Sequence, residues 1–109
     1  IKEVKVFMHK FNGMNADILR DTSDKIKNKN NSCVILLASE NNGKVLLVSS
    51  VTDDLIKKGI HAGNIVKEAA KVTGGGGGGR PNFAQAGGKN PLKIEEAFEK
   101  VKEEIEKHL

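Results

Sequence analysis

The sequence predicts an α/β sandwich, a small mixed β-sheet with helices packed on it, in the order β-α-β-β-α-loop/β-α. Three observations carry this. Residues 4–9 alternate with a period of two, and Cys33 to Ala38 form a continuous apolar run followed by the turn Asn41-Asn42-Gly43. Apolar residues then recur at helical spacing along residues 18–26, 62–72 and 94–109. Alternating short strand and helix patterns call for helices laid on a sheet.

Taken in order, Val4, Val6 and Met8 alternate with Lys5, Phe7 and His9, a strand pattern that Asn12-Gly13-Met14 breaks. Asn15 is placed to cap a helix whose inner positions are Ile18, Leu19, Thr22 and Ile26, ending in Asn28-Lys29-Asn30-Asn31. Ser32 to Ser39 is β-branched and nearly all apolar, as in a strand covered on both faces. Asn41-Asn42-Gly43 tolerates the positive φ of a tight hairpin, and Lys44 to Val51 supplies its second arm. Thr52-Asp53-Asp54 caps a short helical turn that stops at Gly59.

His61 to Thr73 reads as a helix with Ala62, Ile65, Val66, Ala69 and Val72 on one side. Six glycines, Gly74 to Gly79, follow as a loop, and the segment after Pro81 is strand-like. Asn90-Pro91 starts the last helix, because Pro at the first helical position sacrifices no hydrogen bond. Its stripe is Ile94, Ala97, Phe98, Val101, Ile105 and Leu109, and the opposite face offers Glu96–Lys100 and Glu103–Lys107 pairs.

A chain of 109 residues with 38% apolar and 29% charged side chains fits one soluble domain. No apolar run approaches the ~20 residues of a membrane span. The chain opens directly on a strand pattern without Met or a leader, so the expectation is a piece excised from a longer protein; a processed small protein is the other reading. Lone Cys33 allows no internal disulfide and is expected to be a core hydrophobe, and the cytoplasm is the default compartment.

The net charge of +4 is unevenly spread: from Leu92 onward six acids face four Lys, leaving 14 basic against 8 acidic side chains before it. A basic body suits a polyanionic partner such as RNA. Enzyme chemistry finds little support. His9, His61 and His108 are isolated from other metal-ligating residues. Asp53-Asp54 suits a helix start better than paired catalytic carboxylates, and no Ser-His-acid elbow is present. The four Phe and absent Trp and Tyr argue against single-strand binding along a row of aromatics and for recognition of RNA by shape and phosphate. Packing is expected for Phe11, Phe83 and Phe98.

The glycine run invites comparison with a phosphate-binding loop, G-x-x-x-x-G-K-[S/T] between a strand and a helix. Arg80 stands in place of the Lys and Pro81 in place of the Ser or Thr, and the run follows a helix, so nucleotide hydrolysis is rejected. Bare backbone nonetheless permits close approach of a ligand or another strand. Arg80 suits either RNA phosphate or the carbonyls of its own loop. Gln85, between packed-looking Ala84 and Ala86, is expected to satisfy buried backbone in preference to reading a base edge.

Gly74-Gly75-Gly76-Gly77-Gly78-Gly79-Arg80-Pro81-Asn82-Phe83-Ala84-Gln85-Ala86-Gly87-Gly88 resembles the signature near the C-terminus of alanyl-tRNA synthetases. His61-Ala62-Gly63-Asn64-Ile65-Val66-Lys67-Glu68-Ala69-Ala70-Lys71 is similar to the helix that precedes it in that family. The resemblance covers essentially the whole chain, 1–109, as one C-terminal tRNA-binding domain of the DHH-associated type. It implies a module that grips the tRNA elbow, where the D and T loops meet, and supports aminoacylation and editing by other domains. ATP, Mg and Zn are implied for the parent ligase and none for this piece, which is expected to be monomeric because the preceding helical segment of the family is missing. Candidate RNA contacts are Arg80, Lys89, Lys67, Lys71 and the Lys25, Lys27, Lys29 cluster, with Gly74 to Gly79, Pro81, Gln85, Gly87 and Gly88 forming the motif. The alternatives are an accessory domain of a DHH-type phosphodiesterase, whose glycine motif carries a His where Arg80-Pro81 stands, and a purely structural docking module.

Overall fold

The computed structural model describes residues 4–109. The elements are β1 (Lys5–Asn12), α1 (Ala16–Asn28), β2 (Cys33–Asn41), β3 (Lys44–Val51), α2 (Asp53–Ile56), α3 (Ala62–Thr73), β4 (Gly76–Gly79), β5 (Phe83–Gly88), a 3-10 turn (Pro91–Lys93) and α4 (Ile94–Lys107). They build one five-stranded mixed sheet in the order β1-β2-β3-β5-β4. β1 runs parallel to β2, and the other neighbours are antiparallel. The mixed sheet with packed helices is the architecture that the sequence predicts.

Local chemistry explains most boundaries. The Asn15 side chain accepts the Ile18 amide at 2.9 Å, capping α1 as its sequence predicts. The β2–β3 hairpin closes from Asn41↔Lys44 through Asn42 (φ 52°) and Gly43 (φ 80°), a two-residue turn with both central residues left-handed. Gly74 ends α3 in the same left-handed region (φ 81°), where a residue with a Cβ is strained. Asn90 accepts the Leu92 amide at 3.1 Å, but Pro91 begins a 3-10 turn and the α-helix starts only at Ile94.

Two apolar layers hold the sheet. On one face Val34, Leu36, Ala38, Val45, Leu47, Ala84 and Ala86 pack against α2, α3 and α4 through Leu55, Val66, Ala69, Ile94, Ala97, Val101 and Ile105. On the other, Cys33, Ile35, Leu37 and Val48 meet Leu19 of α1, with Phe7, Phe11, Ile26 and Phe83 around them. Burying one such large side chain stabilises by about 1.5–3 kcal/mol relative to leaving it exposed. Cys33 is fully buried in this second layer, as expected of a core hydrophobe.

The structure corrects the sequence reading in two places, the glycine run and the α4 ion pairs. The last four glycines of the run, expected as loop, are the edge strand β4, paired with β5 from Gly76↔Gly87 to Gly79↔Ala84. The strand read from the alternation of residues 4–9 forms as β1 and packs on both faces, since Phe7 and Phe11 join the α1 layer while Val6 and Met8 join the other. At the start and end of α4, the ion pairs are Lys93–Glu96 at 3.5 Å and Glu104–Lys107 at 3.3 Å, one residue shorter in spacing than the i,i+4 pairs expected.

Candidate nucleic-acid interface

The glycine segment is pinned to both ends of α3. At the helix start, His61 provides no side-chain cap. The Ala62 amide instead donates to the Pro81 carbonyl at 2.8 Å, and the Gly63 amide to the Arg80 carbonyl at 3.2 Å. At the helix end, the Gly75 amide donates to Ala70 at 2.7 Å, and the Lys89 and Asn90 amides both donate to the Thr73 carbonyl at 2.8 and 2.9 Å. Helix ends leave amides and carbonyls unsatisfied, and the β4–β5 hairpin fills that need.

Close packing dictates several of the glycines. A Cβ on Gly79 would stand 2.8 Å from both Cα and Cβ of Ala84, and one on Gly63 would stand 2.8 Å from the Gly79 carbonyl oxygen. Side chains on Gly75, Gly77 and Gly88 would run into Gly87, Ala86 and Thr73 respectively. Gly76 and Gly78 are different, because a Cβ on either meets nothing within 4 Å. Register places them on the face of Gly87 and Gln85, and Gln85 also pairs with Val48 of the α1 layer. Along β4 and β5 beyond Phe83, that face carries no side chain except Gln85, and it forms a bare floor at the sheet edge, bordered on β3 by Leu46 and Val48.

Arg80 directly follows this floor, and its amide donates to the Phe83 carbonyl at 3.0 Å. Its side chain is exposed and, among the described residues, has no hydrogen-bond or ion-pair partner. The loop is therefore held by backbone bonds to α3, and the guanidinium does not hold it. Pro81 is exposed beside it. Gln85 is exposed as well, which corrects its expected role: with Ala84 and Ala86 turned to the α3 side, strand alternation sends Gln85 to the open face.

The remaining candidate cations do not gather on the floor. Lys67 and Lys71 line a hollow of about 260 Å³ between α3 and α4, with His61, Glu68, Glu104 and His108 among its neighbours. Lys71 is paired with Glu68 at 3.5 Å. Lys25, Lys27 and Lys29 sit at the end of α1, and Lys27 lines a shallow hollow with Asp53 and Asp54. Asp54 belongs to the start of α2; hydrogen bonds from Ser32 and then Thr52 hold its carboxyl below the usual value. Lys89 is exposed next to Gly74, at the other end of the glycine run from Arg80.

A cation the sequence did not single out lies on the open side. Arg20 of α1 places its guanidinium carbon 4.8 Å from the centre of the Phe83 ring. The contact joins residues far apart in sequence, and only the β3–β5 pairing that sets Phe83 opposite Ser50, under α1, brings them together. Among the described residues no group of three or more His, Cys, Asp or Glu is placed to hold a metal, and no helix is long and apolar enough to cross a membrane. The glycine run also lacks the setting of a nucleotide phosphate-binding loop, since it leads from a helix into a strand and not from a strand into a helix.

Residues 3–107 match the DHHA1 domain model, and the chain belongs to that domain family. Within it the chain is of the C-Ala type. The crystal structure of the C-Ala domain from Aquifex aeolicus alanyl-tRNA synthetase superposes with a TM-score of 0.84 at 33% identity, covering 90% of this chain and 87% of that one. Alanine–tRNA ligases of Natranaerobius thermophilus and Oceanobacillus iheyensis are 53% and 55% identical over 93% and 96% of the chain. The chain spans only 12% of the length of each of these relatives. A DHH-domain protein described as a member of the s1p family of ribosomal proteins shares the fold, with a TM-score of 0.58 at 20% identity, covering 85% of this chain and 21% of that one.

Proposed function

We propose that this chain is the tRNA-binding C-terminal module of an alanine–tRNA ligase, which grips the tRNA elbow and supports aminoacylation and editing by the other domains. On this reading the 109 residues act as one globular unit, and ATP, Mg and Zn serve the parent ligase at sites outside it. The parent works in the cytoplasm, as translation requires. The observation that carries the reading is the pinned all-glycine strand β4 followed directly by an exposed guanidinium with no partner among the described residues. A rigid backbone surface with a free Arg suits a folded polyanion, because ordering costs little and the charge is not already satisfied. The chain itself supplies binding and no chemical step. Arg80 and Lys89 flank the floor and are the favoured phosphate contacts. Lys67, Lys71, Lys25, Lys27 and Lys29 would add to the wider positive field.

Titrating the chain with intact tRNA and with a tRNA lacking its D and T loops tests this. Intact tRNA should bind more tightly, and its affinity should fall with salt with a slope of roughly 0.7–0.9 per phosphate contact. Equal binding to both RNAs, no binding to either, or a response indifferent to salt would defeat the elbow reading.

A further inference from the structure

Arg20 has three acidic residues on its own helix, Asp17, Asp21 and Asp24, two of them at the i−3 and i+4 positions where ion pairs form. Among the described residues it pairs with none of them and rests over Phe83. A guanidinium seated on a ring keeps its in-plane N–H donors free for an anion and offers its other face to a second flat group.

The floor beside it poses a separate question. Packing excludes side chains at Gly75, Gly77, Gly79 and Gly88, but nothing in the fold excludes them at Gly76 and Gly78. Neither has the positive φ that strains other residues. Glycine in a strand costs backbone entropy and forgoes cross-strand contacts, so stability alone favours almost any strand former at those two positions. Both lie on the face of Gln85, the exposed amide whose donors and acceptor are without a partner among the described residues.

Building on the RNA-binding reading, we infer that Arg20 is an RNA-contacting residue. With Phe83 and Gln85 it frames the floor of Gly76 and Gly78 as a seat for one exposed, flat nucleobase face of a folded RNA. The bare backbone lets the base lie down, Gln85 meets its edge, and Arg20 and Arg80 take the phosphates on either side. A side chain rising from Gly78 would hold the base off the floor without disturbing the core.

The test is an anisotropy titration of labelled tRNA with the 109-residue chain and its variants Gly78→Val and Arg20→Lys, each checked for its melting temperature. Gly78→Val should melt at or above the parent temperature and bind tRNA about tenfold more weakly or worse, the scale of losing one stacked base. Arg20→Lys keeps the charge and loses the planar seat, so affinity should drop several-fold while the salt slope stays unchanged. If both folded variants bind tRNA as the parent chain does, the seat is refuted and the module reading stands. If the parent chain itself binds no tRNA, both fall.

Discussion

The alternation along the glycine strand makes a sharp prediction about two neighbouring residues. In Gly79→Ala the new methyl would sit 2.8 Å from Cα and Cβ of Ala84 and 3.0 Å from the Phe83 carbonyl oxygen, so β4 must move away from β5. Overpacking of this kind costs about 1–3 kcal/mol. In Gly78→Ala the methyl meets nothing within 4 Å, and the unfolded chain loses freedom that the folded chain never had. That stabilises by about 0.4–1 kcal/mol. For a domain of this size 1 kcal/mol moves the melting temperature by roughly 4–8 °C. Gly79→Ala should therefore melt at least ~4 °C below the parent and Gly78→Ala a few degrees above it. Thermal scans with a urea titration, to check that the slope is unchanged, measure both. Shifts of the same sign and size would mean that the inward and outward glycines are wrongly assigned, and with them the orientation of the floor.

Three further outcomes follow from other sites. Ser23 and Ser50 share a buried hydroxyl pair between α1 and β3, so Ser23→Ala strands the Ser50 hydroxyl and should cost about 1–3 kcal/mol; the double variant with Ser50→Ala should recover part of it, and strict additivity in urea denaturation would contradict the pairing. Cys33 is fully buried and its thiol is pushed up by that burial, so a thiol reagent should label it only as fast as the fold opens, and immediate labelling of native protein would refute the packing. The Asp54 carboxyl is held low by Ser32 and Thr52, so its contribution is present above the unfolded value near 3.8 and is lost as pH falls through the folded value. Asp54→Asn should thus lose less stability than the parent as pH falls below the unfolded carboxylate value, and parallel melting curves for the two would show those hydrogen bonds to be inconsequential.

Much of this architecture was legible because side-chain periodicity and turn chemistry are local. Asn15 announces α1, Asn41-Asn42-Gly43 announces the hairpin, and Cys33 to Ala38 announces a strand covered on both faces. β4 was not legible, since four glycines carry no alternation and have poor strand propensity; their pairing comes from the Ala84–Gly88 partner and the grip of α3. Gln85 was misplaced although the signal was present, because inward Ala84 and Ala86 require an outward neighbour between them. Lys67 and Lys71 fit the basic surplus but fell on the far side of the sheet edge, a fact set by how α3 crosses the sheet. Arg20 could not be found from the chain, since its only sign is a contact with a residue more than sixty positions away.

The sheet ends on β4, whose outer edge has no neighbouring strand among the described residues. Naked edges ordinarily invite another chain to add on and aggregate, and proteins guard them with lysines, prolines or bulges. An intruding strand would find hydrogen bonds there but no opposing side chains to pair with, and so would lack the contacts that make such additions durable. A polyglycine border is therefore a guard of its own kind: it remains solvent-accessible while offering a β-rich intruder little to hold.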